Sequence, residues 1–124
     1  MGPEILPRFL ENGLVLRRAK LRDNPDQVRR FLRALIRGLT YALDHPNEAV
    51  ALIQKDWNLD RETAQNAYDV AMPTYNMRGD ASDDLVAASI KRALLDAKIS
   101  QSNFAPKDFV DWNIVRGLVR ELKR

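Results

Sequence analysis

The chain has no cysteine among its 124 residues. Disulfides, thiolate catalysis and zinc–thiolate sites are thereby excluded, and the absence suits an oxidising or a reducing compartment equally. Histidine occurs once, at position 45, whereas a metal site needs several converging ligands. Placed before Pro46, His45 reads as a helix-boundary residue. No apolar run approaches the roughly 20 residues that span a bilayer. The opening MGPEILPRFLENG lacks the basic start and unbroken apolar core of a secretory signal. Met1-Gly2 also lacks the Ser or Thr at the sixth position that myristoylation prefers. As written, the chain is expected to stay in the cytoplasm, without membrane insertion. A glycine-rich phosphate loop, a nucleophile elbow and a metal-ligand cluster are all missing. Neither catalysis nor a cofactor is therefore expected.

What remains is the composition of an ordinary globular domain, 45% hydrophobic and 30% charged. A chain of this size forms one domain, 1–124, and can bury about two-thirds of its unfolded surface. The net charge of +3 is unevenly spread. Residues 1–40 carry nine basic and four acidic side chains, residues 41–90 three and nine, and residues 91–124 eight and four. An acidic middle between basic ends suits packing within or between chains. It opposes a continuous nucleic-acid groove, which needs basic charge on one face.

The periodicity is helical almost throughout, and the fold class expected is all-α with at most one short strand. Residues 1–23 read as an N-terminal arm, with an irregular or helical piece at Pro3–Leu10 and a brief extended piece at Leu14–Arg17. Asn24 and Pro25 then open a helix to Asp44. Its Val28, Phe31, Leu32, Leu35, Ile36, Leu39, Ala42 and Leu43 recur at three- and four-residue spacing as one broad apolar face. His45-Pro46 stops that helix and restarts another to Asp56. Asp60 caps a third helix ended by Pro73, Ser82 caps a fourth, and Asp111 caps the last. Trp57 and Trp112 each follow an Asp at a helix boundary and read as anchors at the core edge.

Few side chains carry chemistry. The cluster Arg17-Arg18-Lys20-Arg22 and the Arg29, Arg33, Arg37 stripe read as solvated or salt-bridged surface, since no aromatics are interleaved for base stacking. The loop Thr74–Ala81 holds the candidate ligand contacts Tyr75, Asn76 and Arg78, because binding groups concentrate on loops. Tyr75 suits stacking on a small solute and Arg78 suits an anionic group.

The segment GLVLRRAKLRDNPD, the helix VRRFLRALIRGLTYA and the restart His45-Pro46-Asn47-Glu48-Ala49 together resemble a known family. So do the Gly79-Asp80 loop and the Phe109-Val110-Asp111-Trp112 opening of the last helix. They resemble the C-terminal segment of ABC-importer substrate-binding proteins of the nitrate/sulfonate/taurine and thiamine-precursor-like type, from about Gly13 to Leu122. The resemblance implies a two-lobe α/β fold of which this chain supplies only the C-terminal part. It also implies uptake of a small organic or anionic solute, permease and ATPase partners, and a periplasmic setting if an upstream half exists. The related thiamine-pyrimidine-precursor synthases are disfavoured, because a histidine- and cysteine-rich iron-binding segment is missing. The alternative is a self-associating structural module, a homodimer that exchanges the arm Pro3–Arg18. Nucleic acid is not an expected partner.

Overall fold

The computed structural model describes Leu10, residues 13–100 and residues 103–122. Among them the chain forms six α-helices and no strand: α1 (Arg18–Asp23), α2 (Pro25–Asp44), α3 (Pro46–Trp57), α4 (Arg61–Ala71), α5 (Asp83–Asp96) and α6 (Asn113–Leu122). Single 3₁₀ turns follow α4 at Met72–Thr74 and precede α6 at Pro106–Asp108. The fold is all-α. The piece expected at Pro3–Leu10 lies outside the described residues except for Leu10. Leu14–Arg17 is exposed and joins no ladder, and the arm closes on α1, a helix the pattern does not announce.

Local chemistry sets most helix boundaries. Pro25 and Pro46 occupy first helical positions, where the missing N–H costs nothing. Asn58 ends α3 in the left-handed region at φ 53°, a conformation that asparagine tolerates better than most residues. The Asp60 carboxylate accepts from the Thr63 N–H at 2.8 Å and from the Thr63 hydroxyl at 2.7 Å, which holds its pKa below the usual carboxylate range. Ser82 Oγ accepts from the Leu85 N–H, and the Asp111 carboxylate accepts from the Asn113 N–H. Asn24 departs from expectation. It precedes α2, but its side chain makes no capping bond, and the Asn24 carbonyl accepts from Val28 instead.

Packing divides into two centres. One joins α3, α4 and the end of α2: Ala49, Val50, Ala64 and Tyr68 are buried, with Ala42, Ile53, Leu59 and Met72 packed against them. The Tyr68 hydroxyl donates to the Ala42 carbonyl at 2.8 Å, tying α4 to α2. At the other centre α2 meets α6, and Val28, Val115 and Leu118 are the buried residues of those two helices. Glu121 of α6 receives both Arg29 and Arg33 of α2, the latter at 2.9 Å. Partial burial pushes the Glu121 pKa up, but the two guanidinium charges outweigh it and hold the group low.

Cover is incomplete. Of the apolar face expected on α2 only Val28 is fully buried, while Phe31, Leu35 and Leu43 are exposed. Trp57, expected at the core edge, is instead 69% exposed.

Candidate functional site

The loop between α4 and α5 is held by its own polar groups. Asn76 forms an Asx turn in which its side-chain oxygen accepts from the Arg78 N–H at 2.9 Å and its carbonyl accepts from the Gly79 N–H at 2.9 Å. The Asn76 amide donates to the Asp80 carbonyl. Gly79 adopts φ 68°, a left-handed conformation open to glycine at no steric cost. This geometry presses the loop onto Val115 of α6. Of the three candidates, Asn76 is committed to the turn, whereas the Tyr75 and Arg78 side chains reach solvent.

Asp80 extends the loop into a cluster that its sequence neighbours do not reveal. Its carboxylate accepts from Arg116 Nε of α6 at 2.8 Å and lies 3.7 Å from Arg78 Nε. The Asp80 side chain is largely covered, so two guanidiniums flank one shielded carboxylate. Arg116 also lines an adjacent cleft of about 390 Å³ with Asp83, Lys107, Asp111, Trp112 and Asn113. The Trp112 Nε1–H beside it is buried and has no hydrogen-bond partner among the described residues, an arrangement that costs about 1–3 kcal/mol. Loop and cleft therefore share the Asp80–Arg116 pair. Three cations (Arg78, Arg116 and Lys107) stand against three carboxylates (Asp80, Asp83 and Asp111), so loop and cleft together carry no excess charge among these groups. Among the described residues no group of three or more His, Asp or Glu is placed to hold a metal ion.

The basic cluster of the arm is mostly engaged, Arg18 by a bond across the chain and Lys20 and Arg22 by local contacts. Arg18 donates to the Asp108 carbonyl at 2.8 Å, Lys20 bonds Gln27, and Arg22 pairs with Asp23 at 2.7 Å. His45 stacks on Tyr41 at 4.0 Å between ring centroids, and its Nδ1 lies 3.1 Å from the Tyr41 carbonyl. It sits where α2 hands over to α3. Among the described residues no helix is long and apolar enough to cross a membrane.

With that geometry in view, one likeness to known proteins bears on the chain. Residues 4–49 are similar to the NMT1/THI5 like family. Within the described residues the matched span takes in α1, α2 and the first residues of α3, which supports the substrate-binding resemblance there. It stops short of α4, α5 and α6, so the Asp80–Arg116 cluster lies outside it. No curated protein and no solved structure matches the chain.

Proposed function

We propose that the chain is a non-catalytic, substrate-binding-protein-like module linked to uptake of a small organic or anionic solute by an ABC importer. The observation that carries this reading is the similarity of residues 4–49 to the NMT1/THI5 like family, centred on the long amphipathic helix α2 and its Pro46 restart. The all-α fold supports a partial module, because a two-lobe binding protein needs sheets on both sides of its cleft and none occurs among the described residues. On this reading Arg78 faces an anionic solute group and Tyr75 stacks beside it, with Asn76 holding the turn that presents them. The permease and ATPase of the importer are the partners by family resemblance, and the setting is extracytoplasmic if an upstream half exists.

Mapping the transcript across the Met1 codon tests the proposal. The expected result is an open reading frame continuous with Met1 that encodes two α/β lobes, beside permease and ATPase genes. An in-frame stop immediately upstream, with no transport genes nearby, would overturn it.

A further inference from the structure

Between Phe31 and Gly38 one side of α2 is apolar, free of charge and exposed. Taking 100° per residue, Phe31, Ala34, Leu35 and Gly38 fall together along the helix, with the polar Gln27 before them and Ala42, packed on the α3–α4 centre, after them. Phe31 is 56% and Leu35 41% exposed. A Cβ built on Gly38 would meet nothing within 4 Å. The charged side chains of the helix (Asp26, Arg29, Arg30, Arg33, Arg37 and Asp44) lie on other sides.

The sizes along this side are self-complementary. When the stripe is laid against its own reversed copy about a two-fold axis between residues 34 and 35, Phe31 falls opposite Gly38. Leu35 then falls opposite Ala34. Each bulky group meets a small one, which is what close helix packing requires. The register is a property of this one sequence read in both directions, so it selects a second copy and an isologous contact.

Charge favours the same orientation. The helix α1 at the start of α2 carries Arg18, Lys20 and Arg22, preceded by Arg17, against Asp23 and, in the first turn of α2, Asp26, a surplus of two positive charges. The far end of α2 carries Asp44, followed in α3 by Glu48. Antiparallel pairing brings the basic end of each copy to the acidic end of the other. Parallel pairing would set like against like.

We propose that the uncovered side of α2 is a two-fold interface at which a second copy of this chain packs antiparallel, Phe31 of each copy over Gly38 of the other. This inference does not rest on the transport reading. It places association on a helix face instead of on exchange of the Pro3–Arg18 arm, most of which lies outside the described residues.

Sedimentation velocity on three chains tests it. The unaltered protein should run as a dimer, twice 14.2 kDa, at micromolar concentration. Gly38→Leu should run as a monomer with undiminished helical circular dichroism, since leucine is the better helix former and the space is open within one chain. The double variant Phe31→Ala/Gly38→Phe exchanges large and small, and should restore the dimer. A monomeric unaltered protein would overturn the proposal. So would a Gly38→Leu variant that remains dimeric, or a double variant that stays monomeric while keeping its helicity.

Discussion

A Cβ placed on Gly79 would lie 2.5 Å from Cγ2 of Val115, so the loop after α4 and the face of α6 fit only because residue 79 has no side chain. Its φ of 68° adds a second demand for glycine. Gly79→Ala should therefore cost about 2–4 kcal/mol, combining left-handed strain with overpacking. In a Val115→Ala background the same change should cost only the strain, about 1–2 kcal/mol. Urea unfolding of the four chains of this double-mutant cycle measures the difference, and equal costs in both backgrounds would show that the contact is slack.

Tyr68 provides a second check on packing. Its ring is buried in the α3–α4 centre and its hydroxyl reaches the Ala42 carbonyl. Tyr68→Phe should lose about 1 kcal/mol, the net value of one hydrogen bond. Tyr68→Ala should lose about 3–5 kcal/mol through the cavity it leaves. Thermal melts that place both variants together would mean that the ring contributes little.

Acid sensitivity follows from two carboxylates. The Thr63 N–H and hydroxyl lower the Asp60 pKa, while Arg29 and Arg33 lower that of Glu121 against the opposing effect of burial. A carboxylate depressed in the folded state stabilises the fold fully above its unfolded pKa of about 4, and that contribution disappears as pH falls through the folded value. Asp60→Asn and Glu121→Gln should each flatten the loss of stability on acidification. Chemical denaturation at pH 7 and at pH 3 distinguishes this from a uniform offset. Tyr41 works in the opposite sense: its hydrogen bond to Glu48 raises its pKa. That contribution holds below the ordinary tyrosine value of about 10 and is lost as pH rises through the raised one.

The isolated chain should bind no nitrate, alkanesulfonate or pyrimidine precursor of thiamine at micromolar concentration, because a loop and an open cleft do not enclose a small ligand as two lobes do. Isothermal titration checks this. Heat that disappears in Arg78→Ala and Tyr75→Ala would show that the loop suffices by itself. Nucleic acid should bind weakly, with the affinity gone by about 200 mM salt.

Helix starts were the most legible part of the fold, for a local reason. Asp60 and Ser82 each precede a helical pattern and satisfy an amide three residues on, a bond that needs no tertiary partner. Asn24 had the same credentials, yet its backbone sits at φ −138° and ψ 52°, and no side-chain cap forms. Burial was less legible. Apolar periodicity marks which side of α2 is greasy, but whether Phe31 and Leu35 are covered depends on where α6 crosses. The candidate loop could be found from its composition, and Tyr75 and Arg78 do reach solvent. Its tie to Arg116 spans 36 positions and leaves no trace in local pattern.

Because α2 carries Val28 at one end and Ala42 near the other, the same twenty-residue helix is clamped by two unlike neighbourhoods. Between the clamps stands Gly38, the residue type that gives up most backbone freedom on folding. The rod is thus anchored at its ends and soft in the middle. At concentrations low enough to keep the chain monomeric, amide exchange should report that profile, with slow protons near Val28 and Ala42 and faster ones around Gly38. Two stretches of one helix can then open as separate cooperative units, so the melting of either end need not carry the other with it.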